Sequence, residues 1–143
     1  MRFMMIVKAS PESEAGTMPP MELVNAMGKF NEEMANAGVL LAAEGLQSSA
    51  KGARVAFSPG KAPKVIDGPF AETKELIAGF WMIQVKSREE AIAWAMRSPA
   101  PHGPDVATEI EIRQIFEASD FGTAVEANEQ ALRDEIGKRT PKQ

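Results

Sequence analysis

Residues 67–75 read Asp-Gly-Pro-Phe-Ala-Glu-Thr-Lys-Glu, a turn signal that carries three carboxylates and an ammonium. They stand directly before residues 76–85, the most apolar stretch of the chain. Turn chemistry sets where such groups point, so the segment reads as one wall of a site. Asp67 has two readings. It can be a general base or ligand acceptor, or it can bond its own backbone and set the turn. Glu72, Lys74 and Glu75 read as ligand-binding groups, or as a solvated turn with weak local ion pairs. Gly68 permits a positive φ, and Pro69 fixes its own φ and restricts the residue before it.

Three further positions could join that chemistry. Glu44 lies in an otherwise apolar run, residues 40–46, where a carboxyl group can serve as an acid. Its alternative role is a salt bridge to Arg113 or Lys74. Arg113 shares one side of a late alternating strand with Glu111. There it could grip a carboxylate or phosphate through its planar fork, or simply charge a sheet edge. His102, the only histidine, sits between Pro101 and Gly103. It is a catalytic candidate or an idle loop residue.

Much chemistry is ruled out. There is no cysteine, hence no disulfide, thiolate ligand or cysteine nucleophile. No glycine-rich phosphate loop, His pair, HExxH, acidic calcium loop or G-x-S-x-G elbow occurs, so neither a metal nor a cofactor is expected. A net charge of −4 provides no basic footprint for nucleic acid. The apolar start at residues 3–7 is too short for a signal-peptide core, and no stretch approaches a membrane span. The expectation is a cytoplasmic protein. Apolar and charged fractions of 44% and 25% are those of a globular domain with a real core.

The elements that must position these groups follow from periodicity. Residues 2–8 read as a strand, and 9–18 as a loop broken by Pro11 and Gly16. A helix begins after Pro19 and Pro20, carries Leu23, Val24, Met27, Phe30 and Met34 at helical spacing, and ends at Gly38. Residues 39–46 resume as strand. Residues 54–57 and 64–66 form a hairpin around Pro59-Gly60. Residues 76–85 are apolar almost without alternation, as in a strand covered on both faces. Ser87 and Glu90 start a second helix, which buries Ala91, Ile92, Trp94, Ala95 and Met96 and stops at Pro99. Residues 108–115 alternate as a last strand. A charged helix over 123–137 has a thin stripe of Val125, Leu132 and Ile136.

This order predicts a ferredoxin-like α+β sandwich, a split β-α-β unit with an inserted β-hairpin and an extra C-terminal helix. Residues 1–120 form the domain and residues 121–143 a charged helix and tail. Two helices cover one sheet face. The last helix is too thinly apolar to hide the other, so a homodimer is expected.

Asp67-Gly68-Pro69-Phe70 with Glu72, Lys74, Glu75 and Gly79 resembles the DGPF group of the YCII-related proteins. Gly38-Val39-Leu40-Leu41 with Glu44-Gly45-Leu46, Ser87 to Ala91 with Trp94, and Glu109 to Arg113 resemble flanking segments of that family. The resemblance spans residues 1–116. It implies a dimeric α/β-barrel assembly with a small charged cleft beside each sheet. It also implies the neighbourhood of sigma factors of the extracytoplasmic-function type. Relatives with a His–Asp acid–base pair differ from this chain, whose single histidine precedes the last strand. The expected function is binding of a small polar or anionic ligand in that cleft. Cofactor-free acid–base chemistry by Asp67, Glu44 and His102 is one form of it, with Glu72, Lys74, Glu75 and Arg113 holding the ligand. The alternative is a non-catalytic accessory or regulatory module, such as a sigma-factor partner.

Overall fold

The computed structural model describes residues 1–139. The tail expected over 121–143 is therefore described as far as residue 139, and its last four residues lie outside the described residues. Strand β1 (Arg2–Lys8) alternates strictly, burying Phe3, Met5 and Val7 and leaving Met4 and Ile6 half-buried. Residues 9–18 are not all loop. Ser10 and Ser13 cap each other's backbone N–H groups, and Pro11 takes the first helical position, so a short helix α1 (Pro11–Glu14) forms. Helix α2 (Met21–Asn36) follows Pro20 and ends before Gly38, whose φ is +75°. It buries Phe30 and Met34, while Val24 of the expected stripe is exposed.

Strand β2 (Leu40–Gly45) leads through a 3-10 turn (Ser49–Lys51) to a hairpin of β3 (Ala53–Ala56) and β4 (Lys64–Asp67). A second 3-10 turn (Thr73–Glu75) precedes β5 (Ile77–Gln84). Helix α3 (Arg88–Met96) is capped by Ser87 Oγ, which accepts from Glu90 N at 3.1 Å. Met96, expected in its buried side, is 81% exposed. Strand β6 (Ile110–Gln114), a 3-10 turn (Ala118–Phe121) and helix α4 (Thr123–Arg139) complete the described chain.

The four long strands form one sheet in the order β2-β5-β1-β6, with every neighbouring pair antiparallel. Strand β1 and strand β2 are thus parallel on either side of β5, bridged by α2. This is the split β-α-β topology of a ferredoxin-like α+β fold. The hairpin β3–β4 is a separate two-stranded sheet inserted between β2 and β5.

Both main helices lie on one face. There Phe3, Met5, Trp81 and Ile83 meet Phe30 and Met34, with the Phe30 ring edge-on to Trp81 at 5.6 Å. The expectation that β5 is covered on both faces is not met within this chain. Its burial alternates, with Trp81 and Ile83 buried and Phe80 and Met82 only half-buried. Helix α4 has no buried residue and packs against the Ala118–Phe121 turn rather than across the sheet.

Candidate functional site

The turn after β4 is built by close approach. A Cβ on Gly68 would lie 1.8 Å from the carbonyl oxygen of Ser49, so only glycine fits. The freedom to take a positive φ is not used here, because Gly68 is not among the positive-φ glycines. Its N–H donates to Gly52 O at 3.0 Å, and the peptide to Pro69 is cis. Phe70 N donates to Ser49 Oγ at 3.1 Å, and the Arg54 guanidinium lies 3.9 Å from the centre of the Phe70 ring. Ser49 in turn donates through its N–H to Glu14 Oε1 at 3.1 Å and through its hydroxyl to Glu14 Oε2. Ser48 Oγ donates to the Glu14 carbonyl. Residues 67–70 therefore clasp the Ser48–Ser49 turn, and that turn holds the end of α1.

The segment held in this way is a wall. Between it, α2 and the helix-covered side of the sheet lies a half-open cavity of about 860 Å³. Leu23, Met27, Ala43 and Trp81 form its apolar floor. Polar groups reach it from four places: Ser10 from the wall, Asn31 from α2, Lys51 from the first 3-10 turn, and His102 from the loop before β6. Trp81 Nε1 donates to Asn31 Oδ1 at 2.7 Å. His102 Nε2 lies 2.6 Å from the carbonyl oxygen of Lys8. Lys51 Nζ donates to Gln47 Oε1 at 2.6 Å. A mostly apolar hollow of this size with a few convergent polar groups is the usual form of a small-molecule site.

The family model of the YCII-related domain matches residues 1–119, most of the chain. The chain belongs to the YCII-related family. No curated protein matches it. In this YCII-related chain, α4 lies beyond the matched residues.

The candidates read from the sequence fall in three places. His102 and Glu44 line the cavity. Glu44 pairs with Phe80 across β2 and β5, however, so strand alternation directs its side chain to the open sheet face, and it is exposed. It forms no ion pair with Arg113 or Lys74; Arg113 pairs with Glu111 at 3.4 Å. Arg113 stands opposite Met4 on the same open face. Asp67, Glu72, Lys74 and Glu75 are exposed and outside the cavity lining, with Glu72 in the left-handed region at φ 62°. Among the described residues, no group of three or more His, Cys, Asp and Glu is placed to hold a metal ion. No described helix is long and apolar enough to cross a membrane.

Among the cavity residues not singled out from sequence, two left a trace. Asn31 follows Leu23 and Met27 at four-residue steps, a polar amide in line with the core-facing stripe of α2. Ser10, 4% exposed, opens Ser-Pro-Glu-Ser, a helix-start signature that Gly16 and Pro11 made look like loop.

Two carboxylates have lowered pKa values. Hydrogen bonding from Lys8, 3.2 Å away, and then from Arg113 holds Glu111 down. The Arg2 guanidinium, bonded to both oxygens of Glu117 at 2.9 and 3.1 Å, does the same for Glu117. Both pairs lie away from the cavity lining and join elements to one another.

Proposed function

We propose that this YCII-related protein binds a small polar ligand in the cavity between α2 and the sheet and works as a homodimer. The observation that carries the ligand reading is the cavity itself, a hollow of about 860 Å³ with an apolar floor and a few polar side chains. In this reading His102 is the proton-handling group inside, and Glu44 stands at the rim. Asp67, Glu72, Lys74 and Glu75 shape the turn that clasps the cavity wall rather than touch the ligand. A non-catalytic binding module would use the same cavity, and turnover of a bound compound separates the two.

Support for the dimer comes from the open face. Met4, Ile6, Phe80 and Met82 form an apolar centre there, half-buried and flanked by Glu44, Glu111 and Arg113. Apolar area of this kind normally marks a protein interface. A second copy would present the same apolar centre and the same two signs of charge.

The test is fragment binding followed by NMR of the labelled protein. Bound fragments are expected to move the Trp81 indole N–H and the His102 ring signals. Fragments that instead move only residues 67–75 overturn the cavity reading. Light scattering at micromolar concentration is expected to give the mass of two chains.

A further inference from the structure

We propose that the cavity takes an uncharged ligand offering an acceptor to the Asn31 side-chain amide and a donor to Nδ1 of His102, as a hydroxycarbonyl compound does. The inference rests on the reading of the cavity as a ligand site and narrows it.

The argument starts from which atoms are already used. An indole N–H can only donate, so the atom of Asn31 that faces Trp81 Nε1 is the carbonyl oxygen. The Asn31 NH2 group is thereby left with two N–H bonds, and no described residue accepts from it. A backbone carbonyl can only accept, so His102 Nε2, 2.6 Å from Lys8 O, carries a hydrogen. In the neutral ring the lone pair then belongs to Nδ1, and no described residue donates to it. Ser10 adds a third group. Its Oγ accepts from Ser13 N at 3.1 Å, but no described residue accepts its own hydrogen, although the residue is 4% exposed. Each of the three residues lines the cavity.

Two donors and one acceptor with no protein partner define what a ligand must offer. Water reaches these groups in the half-open hollow, so a ligand that displaces it must replace its hydrogen bonds, and one that does gains over one that does not. A carbonyl oxygen suits Asn31 and Ser10, and a hydroxyl suits Nδ1 of His102. Charge gives an anion no advantage. Glu12 stands against Lys51 in the lining, and the Glu44 side chain is turned to the other sheet face. No arginine is among the lining residues to fork onto a carboxylate. Leu23, Met27 and Trp81 favour an apolar or aromatic body for the rest of the molecule.

The chain holds a single histidine, so one imidazole spin system reports on the site. In the labelled full-length protein, the ring of neutral His102 is expected as the Nε2–H tautomer. An Nδ1–H tautomer overturns the proposal. Three probes with the same phenyl body then separate the chemistries. 2-Hydroxyacetophenone is expected to bind best, acetophenone about tenfold more weakly for want of the hydroxyl, and mandelate weakest of all. Asn31→Asp keeps an acceptor for Trp81 and removes the NH2 group. With an unchanged melting temperature, it is expected to weaken 2-hydroxyacetophenone about tenfold. Mandelate binding in the cavity as tightly as the ketol, or an unaffected Asn31→Asp variant, overturns this inference and leaves the cavity reading standing. Failure of all three probes to move the Trp81 and His102 signals overturns both.

Discussion

The two faces of the four-stranded sheet are made from alternate residues of the same strands and have opposite fates. On one, Phe3, Met5, Trp81 and Ile83 lie under α2 and α3 and are nearly or wholly inaccessible. On the other, Met4, Ile6, Phe80 and Met82 are as apolar but only half-buried, because α4 turns aside to the Ala118–Phe121 turn. Apolar character in a strand therefore states what must be covered. It does not state whether the chain itself supplies the cover. The covered face is not sealed throughout. Near Ala43 and Trp81 a half-open cavity remains between α2 and the sheet, with polar residues at its edges.

The largest test of this contrast sets adjacent residues of β1 against each other. Met5→Ala opens a hole under the helices and is expected to cost about 3 kcal/mol, whereas Ile6→Ala is expected to cost about 1 kcal/mol. Urea unfolding of both variants under monomeric conditions measures this, and equal losses would break the comparison. Next, Gly68→Ala drives a methyl into the Ser49 carbonyl, which Glu14 and Phe70 hold in place. A loss of about 2–3 kcal/mol is expected, with altered amide signals in α1 as well as in the turn. A variant in which only residues 67–70 respond would separate the turn from the cavity wall. On the open face, Phe80→Lys puts a charge in the apolar centre. It is expected to raise the dimer dissociation constant at least tenfold in sedimentation while changing monomer stability by about 1 kcal/mol or less.

The smallest expected effect concerns the Arg2–Glu117 pair, which ties β1 to the start of the C-terminal segment. The Glu117 pKa is lowered in the folded protein, so the pair's contribution is present above the ordinary carboxylate range. It fades as pH falls through the lowered folded value. Glu117→Gln is expected to cost about 0.5 kcal/mol at neutral pH, and the difference from the parent should vanish in acid. A pH-independent difference in melting temperature would assign the loss to packing instead.

Much of the fold was legible because periodicity reports burial directly. The apolar run of β1, the alternation of β6, the helical spacing of α2 and the Ser87 cap each lead to the observed element. Helix α1 was not legible, since four residues make no period and its two serines act only through reciprocal caps. What covers the second face of β5 was not legible for a related reason, an apolar string being silent about its neighbours. At the site, residues 67–75 announce themselves by type and spacing, yet what the motif does depends on Ser49 and Glu14, distant in sequence. Asn31 and His102 line one cavity although they stand far apart in sequence.

Taken alone, the amino-acid sequence determined the order of the strands and longer helices, the ferredoxin-like class and the YCII-related family, because each rests on local period, caps and motif. The folded chain alone decided which face of the sheet is left open and which polar groups share a hollow. Those outcomes depend on distances between residues far apart in sequence, and no local pattern encodes them. The same is true of the contact that makes Gly68 irreplaceable, a carbonyl oxygen 1.8 Å from where its Cβ would be.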